Sequence, residues 1–181
     1  MKQAKITAML MFLALCAASC GSTPGQKSTA AAAGADTLAI ALSYGVDSLL
    51  TAADSLVGKT VSLHGYVTHV CKHSGKRCFL TGESQAAAIR VEAKEGIGGF
   101  NRELVGSQIV VKGALRERRI SQGEVAQLEA DANKKLEEDG SAESCQAELS
   151  SVAKMRSWMK AHGKGYYAIY YVDGNAYEVL D

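Results

Sequence analysis

The sequence has no excess of charge of either sign, and it has few cysteines. Its 181 residues include 20 Lys+Arg and 19 Asp+Glu, so the overall charge gives no general argument for a nucleic-acid-binding protein or for an acidic substrate. Five cysteines are too few for a disulfide scaffold that replaces a hydrophobic core. A hydrophobic fraction of 47% is instead typical of one globular domain.

Motifs of the common enzyme classes are also missing from the sequence. It contains no nucleophile elbow, no phosphate-binding glycine loop and no HExxH zinc motif. We therefore predict that the protein is not an enzyme.

The N-terminal residues have the pattern of an export signal. Two lysines within the first five residues precede an apolar run, Ile6 to Leu15, that is shorter than the ~20 residues needed to span a bilayer. The run ends in Ala17-Ala-Ser-Cys-Gly21, which resembles the lipobox of bacterial lipoproteins. The resemblance implies that residues 1–19 are a signal peptide and that Cys20 is lipidated. An ordinary secretory signal, cleaved after a small residue, is the alternative.

Residues 20–36 have the composition of a flexible tether, because they are rich in Gly, Ser, Thr and Ala. No second apolar run of membrane-spanning length follows them. The sequence thus predicts an exported lipoprotein that is anchored to a membrane through its lipid, on the periplasmic side or at the cell surface.

The part of the chain from residue 46 to 120 predicts a helix followed by strands. Apolar residues at helical spacing predict a short helix over Val46–Val57, with Asp47 as its cap and Gly58 as its end. From Val61 onward the apolar period changes to two, which is typical of strands. Further strands are expected over residues 78–82, 86–93 and 108–115, with the last running on toward 120, and a helical turn is expected over 100–106.

Two of these segments carry a resemblance to a known fold. Val57-Gly-Lys-Thr-Val-Ser-Leu-His-Gly-Tyr-Val67 and Leu104-Val-Gly-Ser-Gln-Ile-Val-Val-Lys-Gly113 resemble strands of bacterial OB-fold domains of the nucleic-acid-binding type. The order strand, hairpin, strand, short helix, strand also fits this five-stranded Greek-key barrel. The resemblance implies an α+β protein built on an OB-like β-barrel, and it says little about the ligand.

The remaining residues, 121–181, predict helices and a hairpin packed on the barrel. Ser121 and Glu124 have the spacing of a capping box that opens one helix, and a longer helix is expected from Ala142 to His162. Asp173-Gly174 between two alternating aromatic runs predicts a C-terminal β-hairpin. This tail either supplies a missing barrel strand, extends the sheet or forms a second layer.

Charge is divided between two neighbouring segments. Residues 59–120 contain eleven Lys+Arg and five acids, whereas residues 121–150 contain eight acids and two lysines. The two segments either neutralise each other or leave a basic surface that faces a polyanion.

One short segment combines cysteines and histidines. With Ser74-Gly75 as a two-residue turn, Cys71 would face Cys78 across a hairpin, beside His69 and His73. Opposed strand residues have the Cα separation of a disulfide, and export favours oxidation. The alternatives are a Zn or Cu site, since two thiols and one or two imidazoles suit either metal, and unpaired structural cysteines. Cys145 is expected to be a core residue, with a third metal ligand as the alternative.

A second group of residues forms a predicted ligand face on the barrel. OB barrels stack single-stranded nucleic acid on aromatic and basic side chains, and the residues that could serve here are His64, Tyr66, Arg77, Phe79, Arg90 and Lys112.

Three functional hypotheses follow from these patterns. The first is a non-catalytic, lipid-anchored binding protein of the cell envelope, with the barrel face for an unknown small ligand or a polyanion. Its cysteine- and histidine-bearing hairpin is then a disulfide staple or a metal-binding tip. The second is an envelope protein that handles metal or thiols, and the third is a single-stranded nucleic-acid-binding protein.

Overall fold

The computed structural model describes residues 43–139 and 142–180. The elements in chain order are β1 (Tyr44–Gly45), α1 (Val46–Leu56), β2 (Thr60–Val70), β3 (Arg77–Thr81), β4 (Ala88–Ala93), a 3-10 helix (Arg102–Leu104), β5 (Gln108–Ser121), α2 (Gln122–Asp139), α3 (Ala142–His162) and β6 (Tyr166–Leu180). The predicted signal peptide, Cys20 and the tether lie outside the described residues. Among the helices that are described, none is long and apolar enough to cross a membrane.

Five strands close into a barrel. They neighbour one another in the order β2-β3-β4-β6-β5, and β5 pairs back with β2. The β4–β6 pair is parallel, whereas the other four pairs are antiparallel. The predicted α+β class and OB-like barrel with flanking helices are confirmed.

The barrel interior follows from the alternation of side chains along each strand. Residues of one parity point inward and are almost fully buried, among them Leu63, Leu80, Val91 and Val111. Helix α1 adds Val46, Leu49 and Ala53 to the same apolar cluster. Burial of these side chains is the main favourable term that holds the barrel together.

Helix α1 begins without the predicted cap. Gly45 is the N-cap residue and makes no side-chain cap hydrogen bond, so the prediction that Asp47 caps the helix is wrong. Asp47 lies in the first turn, where its Oδ2 accepts a hydrogen bond from Ser84 at 2.7 Å. The helix ends before Gly58, which has a φ of +82° that favours glycine.

The C-terminal residues form one long strand, so the predicted hairpin at Asp173-Gly174 is wrong. β6 pairs with β5 from Ser121–Tyr166 to Gln108–Leu180, and it supplies the fifth strand of the barrel. Position 174 faces the barrel interior, where there is no room for a larger residue than glycine: a Cβ would lie 2.9 Å from the Val91 side chain and 3.2 Å from the Val111 side chain. The glycine therefore serves a close approach of the core, with a bulge at the neighbouring Asn175 of β6, and does not make a turn.

Helices α2 and α3 are inserted between β5 and β6. The predicted capping box is confirmed, since the Glu124 amide donates to Ser121 Oγ at 3.2 Å and the Ser121 amide donates to Glu124 Oε2 at 2.7 Å. The helix predicted over 142–162 is confirmed as α3. The pair covers a second apolar cluster, which comprises Ile120, Val125, Val152 and Met159, with Met155, Trp158, Tyr167 and Ile169 packed against it.

Candidate functional site

The outer side of the barrel carries a row of polar and aromatic side chains that the strand register aligns. Phe79 is paired with His69 on one side and with Arg90 on the other, and Arg90 is paired with Tyr171, which in turn faces Arg116. The residues next to them in sequence, such as Cys78 and Val91, are buried inside the barrel. We call the surface formed by this row and the ion pairs next to it the outer sheet face.

The aromatic groups of the outer sheet face contact their neighbours in the row. The rings of His69 and Phe79 lie 5.9 Å apart at 56°. The guanidinium of Arg90 lies over the ring of Tyr171, 4.8 Å from its centroid. Such contacts hold flat groups side by side on the strands, where a planar ligand group can stack.

The next row of the outer sheet face consists of ion pairs. Glu92 lies 3.6 Å from Arg77, 3.3 Å from Arg90 and 3.2 Å from Lys94. Asp173 lies 3.0 Å from Arg116 and 3.4 Å from Lys94. The hydrogen bond from Lys94 to Glu92 raises the pKa of the lysine.

Cations outnumber anions on the outer sheet face. Four cations, Arg77, Arg90, Lys94 and Arg116, share two carboxylates, so the face keeps a net positive charge. The Nε of Arg90 and the Oδ1 of Asp173 are both buried without a hydrogen-bond partner among the described residues. The face can therefore attract an anion without giving up all of its internal pairs.

The structure brings three of the six predicted ligand-face residues together, namely Arg77, Phe79 and Arg90. His64 and Tyr66 instead line a groove of about 400 Å³ beside the N-terminus of α1. His64 Nδ1 lies 2.7 Å from Ser43 Oγ, and partial burial lowers the pKa of the imidazole. Lys112 is exposed on β5, paired with Ser62 and Ala176.

Sequence reasoning missed Lys94, Arg116, Tyr171 and Asp173. Three of these residues lie on β5 or β6, and the predicted turn at Asp173-Gly174 divided β6 and left its place in the sheet open. The signal that could have found them is the continued alternation of Tyr171, Asp173 and their inward neighbour Val172, which is fully buried.

The loop between β2 and β3 does not have the predicted two-residue turn. Cys78 is paired with Val70, and the Cys71 amide donates to the Arg77 carbonyl at 2.9 Å. The prediction that Cys71 faces Cys78 is therefore wrong by one residue of register. The cause is a wider turn, in which the Gly75 amide donates to the Cys71 carbonyl at 3.0 Å, together with a bulge between Val67 and His69.

The two cysteines of this hairpin have opposite environments, and both are free thiols. Cys78 points into the barrel, where burial raises the pKa of its thiol to about 12. Cys71 is partly exposed, and hydrogen bonds from the amides of His73 and Ser74 lower the pKa of its thiol. Cys71 is thus the more nucleophilic of the two at neutral pH.

The predicted metal ligands do not converge. In the part of the chain that the structure describes, no group of three or more His, Cys, Asp or Glu side chains is placed to hold a metal ion. His69 packs against Phe79, while Cys78 is buried in the barrel and Cys145 is buried in α3. The expectation that Cys145 is a core residue is confirmed.

Comparisons with known proteins give little beyond this geometry. No family model and no curated protein matches the chain. A solved structure with partial similarity is the OBody AM3L09 bound to hen egg-white lysozyme. The two chains are 19% identical, the similarity covers 38% of this chain and 71% of that chain, and the TM-score is 0.29. The assignment of an OB-like fold rests on the strand order and register of this chain.

Proposed function

We propose that the protein is a non-catalytic binding module of the cell envelope, tethered to a membrane by a lipid on Cys20, and that its outer sheet face binds an anionic polymer. The observation that carries the proposal is the aligned row of His69, Phe79, Arg90, Tyr171 and Arg116. This row offers flat groups and cations on one rigid surface.

The charge of the outer sheet face favours a polymer over a small anion. Its cations are spread over three strands and are partly neutralised by Glu92 and Asp173. Each one alone offers a weak contact with a single phosphate or carboxylate. A chain that touches several of them at once gains from each contact and releases counterions at each.

A single strand of nucleic acid is the form of anionic polymer that the aromatic groups favour. Phe79 is half-buried, so its ring is fixed, and it lies between His69 and Arg90. Bases stack on such rings with little regard to sequence. An acidic glycan lacks flat groups and would use the cations only.

The test is a titration of a fluorescent single-stranded oligonucleotide of about 15 nucleotides, roughly the longest site of one OB barrel, beside a heparin fragment that carries no bases. We expect both to bind, the oligonucleotide more tightly, with affinity that falls steeply as salt rises. Arg77→Ala and Arg116→Ala should each weaken binding and reduce the salt dependence by about one ion.

Lys112→Ala is the matched control, because Lys112 is an exposed barrel cation that lies off the outer sheet face. It should leave binding nearly unchanged. An equal loss in Lys112→Ala and Arg116→Ala, or affinity that does not respond to salt, would contradict the proposed face.

The lipid anchor is tested separately. Wild-type protein expressed in a bacterial host should fractionate with membranes and carry a lipid on Cys20 by mass spectrometry, and Cys20→Ser should lose both properties. A soluble wild-type protein that is cleaved at another small residue would show an ordinary secretory signal instead.

A further inference from the structure

A second cavity lies away from the ion pairs of the outer sheet face, where α1 and α3 meet the barrel. It has a volume of about 580 Å³, within the range of small-molecule sites. Its walls come from four separate segments, which are α1, the end of α3, the start of β4 and residues 167–170 of β6. A cavity shared by the barrel and the insertion exists only when the two pack together.

One polar cluster ties these segments together at the cavity. Asp54 of α1 accepts hydrogen bonds at Oδ1 from Lys164, at 2.6 Å, and from the hydroxyl of Tyr170. Both bonds end on the same oxygen, and Oδ2 is the second acceptor of this exposed carboxylate. Hydrogen bonds from Lys164 and Tyr170 lower the pKa of Asp54, and burial raises the pKa of Tyr170 to about 12.

The paired charges of this cluster cancel. Asp54 is an anion and Lys164 is a cation in direct contact, and Tyr170 stays neutral over the whole physiological range. His162 lines the same cavity, and its Nδ1 donates to the Trp158 carbonyl at 2.8 Å. This bond leaves Nε2 available to a ligand. A charged ligand would lose its hydration here without meeting an uncompensated opposite charge.

The rest of the cavity wall is apolar and rigid. The Trp158 indole is stacked on His162, with centroids 4.0 Å apart at 18°, and meets the Tyr167 ring edge-on at 5.3 Å. Small or apolar side chains complete the wall, including Leu50, Ala87 and Ala88. The cavity thus combines apolar surface with hydrogen-bond donors and acceptors and has no net charge.

We propose that this cavity binds a neutral saccharide of one or two sugar units. A sugar ring presents apolar C–H surface together with hydroxyl groups that both donate and accept hydrogen bonds, and it carries no charge. Thr51, Asp54, His162 and Tyr170 supply the polar partners, and Leu50 and the two alanines contact the ring. The site is independent of the anionic polymer proposed for the outer sheet face.

The test uses glucose, N-acetylglucosamine and its β-linked dimer as probes, followed by saturation-transfer NMR and by the fluorescence of Trp158, the single tryptophan of the chain. We expect saturable binding with a Kd on the order of 1 mM for ligands of this size. Glucosamine and glucose 6-phosphate, the charged analogues, should bind at least about fivefold more weakly because they meet no net charge.

Two variants that replace an alanine by leucine locate the bound sugar. Ala88→Leu, at the start of β4, narrows the cavity and should weaken binding, whereas Ala86→Leu, in the preceding loop and outside the cavity wall, should not. Circular dichroism confirms that both variants fold. Absence of sugar signals from the wild type at 50-fold excess over the expected Kd, equal binding by the two variants, or tighter binding of a charged analogue would each overturn the proposal.

Discussion

The barrel and the inserted helices are stabilised to very different extents. The barrel cluster includes residues from α1 and from all five barrel strands, and most of its members have no measurable exposure. Among the described residues, the second cluster has three buried members from the insertion, Val125, Val152 and Met159, and Ile120 from β5; Ala132 and Cys145 are the other buried residues of the two helices. Because burial of apolar surface is the main favourable term in folding, the insertion should open at a lower free energy than the barrel.

The way in which the two regions are held together also makes the barrel the more stable one. Every barrel strand is hydrogen-bonded on both sides, so the barrel has no free edge. Helices α2 and α3 rest on one face of the β5–β6 ribbon, and surface ion pairs such as Lys135–Glu148 at 3.0 Å join them to each other. Pairs of this kind contribute little, about 0–1 kcal/mol each.

The largest contrast should appear in the rates at which the cysteines react. Cys71 is partly exposed and should react at once with a thiol reagent at neutral pH, whereas Cys78, with its pKa of about 12, should react at least roughly a thousandfold more slowly. Cys145, buried in the insertion, should come between them, because local opening of α2 and α3 exposes it. Peptide mass mapping of labelled protein assigns each rate. Cys78 reacting before Cys145 would reverse the proposed order of stability.

Loss of a barrel core side chain should cost the most stability. Leu80 has no measurable exposure, so Leu80→Ala should lower the free energy of unfolding by about 2–5 kcal/mol. Leu128 of the insertion is 43% exposed, and Leu128→Ala should change the free energy of unfolding by less than about 0.5 kcal/mol. Urea denaturation followed by circular dichroism measures both. Equal losses would contradict the placement of Leu80 in the barrel core and of Leu128 at the surface of the insertion.

Addition of a methyl group at Gly174 should destabilise the barrel from inside. Its Cβ would meet Val91, Val111 and Ile97 at 2.9–3.3 Å, and overpacking of this kind costs about 1–3 kcal/mol. Gly165→Ala is the control, because nothing lies within 4 Å of a Cβ there. Thermal unfolding should separate the two variants by several degrees. A harmless Gly174→Ala would argue against a continuous β6 at this point.

Removal of the capping box should affect only the insertion. Ser121→Ala leaves the Glu124 amide in the first turn of α2 without its side-chain acceptor, at a cost of about 0.5–2 kcal/mol. Because the barrel keeps its own closure, amide hydrogen exchange should become faster in α2 and α3 and stay unchanged in β3 and β4. Faster exchange throughout the chain would show that the insertion and the barrel unfold together.

Local periodicity predicted the helices and the first four barrel strands well, because each of them buries one clear face. Its failures came from long-range contacts. Asp173-Gly174 has the local chemistry of a turn, yet the strand continues, and Asp173 forms an ion pair with Arg116 across the sheet. Position 174 is a glycine because the core leaves no room for a side chain there. Neither contact can be recognised from nearby residues, since position 116 is far from position 173 in the chain.

The candidate site was predictable only in part for the same reason. Arg77, Phe79 and Arg90 belong to one local hairpin, and the sequence identified them. Tyr171 and Arg116 join them only through the β4–β6 and β5–β6 pairings. A difference of one residue in register likewise keeps Cys71 from lying opposite Cys78, because a shift by one residue moves a side chain to the other side of a sheet.

The most direct test of the proposed function is a map of amide chemical-shift changes on titration with the single-stranded oligonucleotide. We predict that the largest changes cluster on the outer sheet face, around Phe79, Arg90 and Tyr171, and that they diminish as salt is added. Changes centred on Lys112, on the groove of His64 and Tyr66, or on α2 and α3 would contradict the assignment of this face as the ligand surface.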